Sequence, residues 1–198
     1  MVVSSVQGEG KTTLAGQLAS SLARVHRRTL LIDGDLRSPS LHQFFDQEPG
    51  PGFSELLSRS ARPSEGVRPT NVEGLDFLPA GTLTDAAEAG LANKSFVRGL
   101  LDELRANYEF VVVDSSPILL VPDALMLAEA VDGLLLSVRP GVSEVGPVQT
   151  AFERLHEHHL PVLGAILNGV KPTSSESPYK AKGTYTKPIV LSTGADTA

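Results

Sequence analysis

Gly8-Glu9-Gly10-Lys11-Thr12-Thr13 follows closely on an apolar pair, Val2 and Val3, and brings two glycines, a lysine and two hydroxyls together. An apolar strand, a glycine turn and a helix starting at Lys11 would aim consecutive backbone N–H groups and the positive helix end at a polyphosphate. Lys11 supplies a point charge for the β- and γ-phosphates, and Thr12 a hydroxyl for Mg²⁺. The pattern G-x-x-x-x-G-K-[ST] is matched from Gly10 onward, with Ser5 where its first glycine would stand. Two further apolar runs end in carboxylates: Leu30-Leu31-Ile32-Asp33, continued by Gly34-Asp35-Leu36-Arg37, and Val111-Val112-Val113-Asp114. Acidic groups beside a triphosphate make sense only with a cation, and Mg²⁺ takes one or two carboxylates together with phosphate oxygens. Thr12 and Asp114 are the candidates for that cation, which leaves Asp33 near the γ-phosphate.

These residues need elements to position them. Leu14, Leu18, Leu22 and Val25 recur at helical spacing, predicting a helix over 11–26 with that face packed on a sheet. The run Thr29 to Asp33 has the length and continuity of a parallel strand buried on both faces. From Ser38 to Pro69, prolines and glycines interrupt short apolar pieces at 41–45 and 53–57, which predicts short helices on a surface-lying excursion. Further strands are expected at 75–81, 110–114, 133–138 and 162–167, with helices around 86–92, 96–104, 123–131 and 145–155. The alternation implies an α/β fold: three layers, with a mostly parallel central sheet and helices on both faces. In such sheets ligands sit at the carboxyl ends of the strands, where the glycine loop, Asp33, Asp35 and Asp114 all fall. Residues 1–171 are expected to form this single domain. Residues 172–198, rich in Ser, Thr, Lys, Pro and Gly, are expected to form a mobile tail.

Composition narrows the function class. With 198 residues, 41% of them apolar, the chain can bury one core. A net charge of −6 argues against nucleic acid or an anionic membrane as main partner. The chain has no cysteine, which removes disulfides and thiolate chemistry. No run reaches the roughly 18 apolar residues of a membrane span, so a soluble, cytoplasmic protein is expected. His156-Glu157-His158-His159 resembles a metal motif, but the end of an amphipathic helix is where histidines also sit as solvated partners of the helix dipole.

Gly8-Glu9-Gly10-Lys11-Thr12, the stretch Leu30 to Arg37 continuing to Pro39, Leu41 and His42, and Val111 to Pro117 together resemble the three Walker motifs of bacterial tyrosine kinases. Those are the cytoplasmic kinases of capsular and exopolysaccharide export. The resemblance extends through Leu78-Pro79-Ala80-Gly81, Asp123-Ala124, Val131-Asp132-Gly133 and Gly164 to Asn168. Partition ATPases of the Min and Par type are related, but carry a signature lysine where this chain has Val6.

The resemblance implies ATP and Mg²⁺ as cofactors, with Gly8, Glu9, Gly10, Lys11, Thr12 and Thr13 on the nucleotide. It implies Thr12, Asp35 and Asp114 at the metal and Lys11, Asp33, Asp35 and Asp114 in catalysis, Asp33 facing the acceptor hydroxyl. Asn168, beyond the last strand, would read adenine through its amide or else serve as a turn residue with Gly169. Arg37 and Arg139 would approach phosphate, meet a neighbouring subunit or remain solvated. Family members carry a Glu-x-x-Arg-x-x-Arg assembly helix ahead of the first strand; the 198 residues start inside that strand. A partly active domain completed by a membrane-anchored activator segment of the polysaccharide machinery is therefore expected, with homo-oligomers possible and membrane contact only through that partner. Family tails end in a dense tyrosine cluster, whereas this tail has Tyr179 and Tyr185 as its candidate autophosphorylation sites. The rival expectations are an ATPase switch without kinase activity and a non-catalytic regulatory subunit.

Overall fold

The computed structural model describes residues 1–170. In chain order the elements are β1 (Val2–Ser4), α1 (Lys11–Arg24), β2 (Thr29–Gly34), α2 (Leu41–Phe44), α3 (Phe53–Leu57), α4 (Pro63–Gly66), β3 (Arg68–Pro69) and β4 (Leu75–Leu78). The second half holds α5 (Asp85–Leu91), α6 (Lys94–Arg105), β5 (Phe110–Ser115), α7 (Asp123–Ala128), β6 (Leu134–Val138), α8 (Val145–Glu157) and β7 (Val162–Leu167).

The strands form two hydrogen-bonded groups, ordered β3-β4-β2-β5 and β1-β6-β7. Side-chain and turn bonds join them: Ser115 Oγ donates to the Val2 carbonyl at 2.8 Å, and the Ile118 amide donates to Ser4 O at 2.9 Å. Every strand pair is parallel except β3–β4. On β2, Leu31 joins Phe77, Val112 and the α1 alanines on one face, whereas Leu30 and Ile32 join Leu78, Val113 and the α3, α5 and α6 side chains on the other. Both faces of the central strand are thus covered, as its unbroken apolar run requires. Val3, Leu134 and Leu136 pack under α7 and α8. The alternation gives three layers.

Two expectations are corrected by the packing. The buried stripe of α1 is Ala15, Gly16, Ala19, Ser20 and Ala23, whereas Leu14, Leu18 and Leu22 lie half-buried at its flank and Val25 is exposed. Small side chains let the helix axis approach the sheet, and the leucines seal the sides of that contact. The excursion after Ser38 is also not confined to the surface. Phe53, Leu56 and Leu57 of α3 are buried in the main core, each such side chain contributing about 1.5–3 kcal/mol. It closes as β3, antiparallel to β4, with Pro69 on an edge strand where its missing N–H is tolerated. No helix among the described residues is long and apolar enough to cross a membrane. Tyr179, Tyr185 and the expected tail lie outside the described residues.

Candidate active site

The loop between β1 and α1 turns on Gly8 and Gly10, with φ of 87° and 83°. Both angles fall in the left-handed region that side chains disfavour. At Gly10 a Cβ would also come within 2.2 Å of Asn168 Nδ2, so a side chain there would have to push the Asn168 amide off the loop. Gly10 is the N-cap of α1 and places no side chain on the first-turn N–H groups, nor is there an acidic residue in that turn. Those donors and the positive helix end therefore remain available to an anion. Lys11 is the first residue of α1, and Thr12 and Thr13 follow it in the first turn.

Strand register brings the acids to the same place. Asp33 of β2 pairs with Asp114 of β5, directly across the ladder, and Asp35 follows one residue beyond β2. A cleft of about 410 Å³ opens at this edge, lined among others by Gly8, Gly10, Lys11, Thr12, Asp35 and Ser116. The Lys11 ammonium bridges to Asp35 Oδ2 at 3.0 Å. Asp35 Oδ1 accepts from Ser116 Oγ at 2.9 Å and from the Ser38 amide at 3.2 Å.

Asp33 lies deeper and is fully buried, its two oxygens accepting from the Leu41 amide at 3.1 Å and the Asp35 amide at 3.3 Å. Burial first, and then the neighbouring Asp114 charge, push its carboxyl up to about 7. Asp114 is pushed up to about 6, again chiefly by burial, against the opposing pull of the Lys11 charge and the Thr12 hydroxyl. Asp114 Oδ1 is buried and has no hydrogen-bond partner. An orphaned carboxylate oxygen beside a threonine hydroxyl is a donor set that Mg²⁺ would satisfy. Among the described residues no three His, Cys, Asp or Glu side chains converge into a complete metal cage. Phosphate oxygens would have to complete the coordination, as they commonly do for Mg²⁺.

The remaining sequence candidates take definite positions. Glu9 contributes its backbone to the loop, but its carboxylate turns into the protein, accepting from Ser5 Oγ at 2.7 Å and the Val6 amide at 2.9 Å. Asn168 donates from Nδ2 to Gly10 O at 3.0 Å and so stands directly over the loop. Arg139 donates to Gly8 O at 3.2 Å. Arg37 grips the buried Asp123 with Nε at 2.8 Å and Nη2 at 3.3 Å, and pairs with Glu88 at 2.7 Å. Three serines were not singled out by sequence reasoning: Ser116 on Asp35, and Ser137 and Ser143 against the loop. Their common signal was a hydroxyl at or just beyond the carboxyl end of a strand.

A left-handed glycine loop opening an uncapped helix, with strand-end aspartates in register beside it, defines a P-loop NTPase fold. Residues 2–147 match the family model described as AAA domain. The tyrosine-protein kinase YwqD of Bacillus subtilis (strain 168) is 35% identical over 184 residues, covering 93% of this chain and 77% of the relative. The kinase domain of the Escherichia coli tyrosine kinase ETK superposes with a TM-score of 0.81 at 29% identity, over 90% of this chain and 70% of that one. The septum site-determining protein MinD of Pyrococcus horikoshii OT3, complexed with Mg-ADP, shares the fold with a TM-score of 0.71 at 23% identity, over 84% and 68% of the two chains. The chain belongs to the bacterial tyrosine kinases, within the AAA-domain family of P-loop proteins.

Proposed function

We propose that this chain is an ATP- and Mg²⁺-dependent protein-tyrosine kinase that phosphorylates tyrosines of its own tail, in the regulation of capsular or exopolysaccharide synthesis and export. The observation that carries this reading is the convergence of Lys11, Thr12 and the uncapped α1 N-terminus on one cleft, with the orphaned Asp114 oxygen buried behind Thr12. The kinase names of the relatives support the choice of acceptor chemistry.

Gly8, Gly10 and the first-turn amides of α1 bind the phosphates, and Lys11 leaves Asp35 to place its charge on the β- and γ-groups. Thr12, Asp35 and Asp114 hold Mg²⁺, which when bound neutralises charge on the transferring phosphoryl group. Asp33, with a carboxyl pushed up to about 7, has the proton affinity of a base operating near neutral pH. It orients a tyrosine hydroxyl, ordinarily protonated with a pKa of about 10, and takes the proton late in a loose transition state. Asn168 lies next to the loop and offers its amide to adenine.

Tyr108 is a poor acceptor: its hydroxyl donates to Asp76 at 2.7 Å, and burial together with that contact raises its pKa. Tyr179 and Tyr185 are the proposed acceptors. A cytoplasmic segment of a membrane-anchored partner is the proposed activator, so the kinase would sit at the inner face of the cell membrane without spanning it. Titration calorimetry with Mg·ATP and phosphotyrosine detection test the two halves of this reading. Nucleotide binding without any phosphotyrosine would favour a nucleotide switch instead.

A further inference from the structure

Three consecutive carbonyls of the phosphate loop are held from one side. Gly8 O accepts from Arg139 Nη1 at 3.2 Å, Glu9 O from Ser137 Oγ at 2.8 Å, and Gly10 O from Asn168 Nδ2 at 3.0 Å. All three donors come from β6 and the residues just beyond β6 and β7. The Glu9 side chain adds a second layer. It is fully buried, and besides Ser5 Oγ and the Val6 amide it accepts from Ser143 Oγ. Ser143 Oγ in turn accepts the Arg139 amide at 2.8 Å, so the loop after β6 is tied to the phosphate loop at both of its ends.

In a trans peptide the C=O of one residue and the N–H of the next point in opposite directions across a rigid plane. Holding Gly8 O and Glu9 O in this way turns the N–H groups of Glu9 and Gly10 to the opposite side of their peptide planes, while Gly10 O, and with it the Lys11 N–H, is fixed jointly by Asn168 and by the first bond of α1, from the Leu14 amide at 2.9 Å. A row of such amides is an anion-binding concavity. A carboxylate inside a phosphate loop is a liability by charge alone, since it repels the triphosphate. Glu9 is nevertheless buried there, accepting from one backbone amide, Val6, and from the two hydroxyls of Ser5 and Ser143.

We propose that Glu9 is a positioning residue: through Ser5, Val6 and Ser143 it locks the phosphate loop with its amides already aimed at the phosphates, making the 139–143 loop part of the nucleotide site. The proposal rests on the nucleotide reading above. It favours a carboxylate, because an amide that kept its oxygen on the Val6 N–H would turn its NH₂ to Ser5 Oγ and Ser143 Oγ, and both hydroxyls would have to reverse from donating to accepting.

The test uses the whole chain, with wild type, Glu9→Gln and Ser143→Ala titrated with Mg·ATP and with AMP, and thermal melts alongside. Glu9→Gln is expected to weaken Mg·ATP about tenfold, the scale of one hydrogen bond to a charged group. AMP, which lacks the β- and γ-phosphates, should change far less, so the ratio of the two affinities falls. Ser143→Ala lies on a half-exposed loop, keeps the fold and should shift the ratio the same way by about threefold. Should Glu9→Gln not fold, Ser143→Ala decides alone. Unchanged or tighter Mg·ATP binding, as simple removal of charge would give, overturns the proposal. So does an equal loss for both ligands, which a merely structural role would produce. A wild type that binds neither ligand overturns the nucleotide reading itself.

Discussion

The Lys11 ammonium is bonded to Asp35 Oδ2 at 3.0 Å, with both side chains largely shielded from solvent. The lysine that would meet the β- and γ-phosphates is therefore already neutralised by an aspartate proposed to serve the metal. Nucleotide must displace that carboxylate. Asp35→Asn removes the competitor and one negative charge, so ATP binding in EDTA should tighten several-fold. Binding with Mg²⁺ present should gain less, because Asp35 is also withdrawn from the cation. Calorimetry with and without Mg²⁺ checks this, and equal gains under both conditions would separate Asp35 from the metal.

The paired carboxyls of Asp33 and Asp114 make the metal-free protein pH-sensitive. Their folded-state pKa values, about 7 and about 6, lie above the ordinary value of 3.8. Over the intervening range the folded chain holds more protons than the unfolded one, so these groups make stability fall as pH rises. Their contribution is most favourable below about pH 4 and is lost through pH 6 to 7, by at most about 1.4 kcal/mol per pH unit for each group. Thermal melts in EDTA between pH 5 and 8 should show Asp114→Asn gaining on wild type as pH rises. A difference between the two proteins that is independent of pH would contradict it.

Arg37 should act as a structural clamp. Its guanidinium grips the buried Asp123 and also pairs with Glu88, on side chains about two-fifths exposed. Arg37→Met leaves the Asp123 carboxylate buried without its partner and should cost about 1–3 kcal/mol in urea unfolding. Glu88→Gln breaks a solvent-exposed pair and should cost no more than about 0.5 kcal/mol. Equal costs would mean that the burial of Asp123 does not set the energetics.

The α1 helix shows how far the sequence could be read. Its existence and start followed from the leucine spacing and the loop, but its buried face did not. Leucines mark an apolar stripe, whereas the closest approach to a sheet belongs to Ala15, Ala19 and Ala23, whose burial depends on what lies opposite. Ala19→Leu should therefore cost about 1–3 kcal/mol by overpacking. Chemical denaturation of Ala19→Leu beside Leu18→Ala checks the order, with the smaller loss expected at half-buried Leu18.

The site was legible where it is contiguous in sequence. Gly10-Lys11-Thr12 and two apolar runs ending in aspartate fix the strand ends, and a parallel sheet aligns those ends at one edge. The direct pairing of Asp33 with Asp114 could not be foreseen, because register depends on which strands are neighbours. Nor could the inward turn of Glu9 or the bracing by Ser137 and Ser143, which join residues more than 120 positions apart. Hydroxyls carry no periodicity that would announce such contacts.

Phosphoryl transfer from this cleft to tyrosine is the step that separates a kinase from a nucleotide switch. Wild type and Lys11→Ala, each incubated with ATP and Mg²⁺ and mapped by mass spectrometry, test it most directly. Phosphotyrosine at Tyr179 or Tyr185 in wild type, absent from Lys11→Ala alone and restored to it by added wild type, is the predicted result. Modification at equal levels in both proteins, or none in a wild type shown by calorimetry to bind Mg·ATP with the partner segment present, would contradict it.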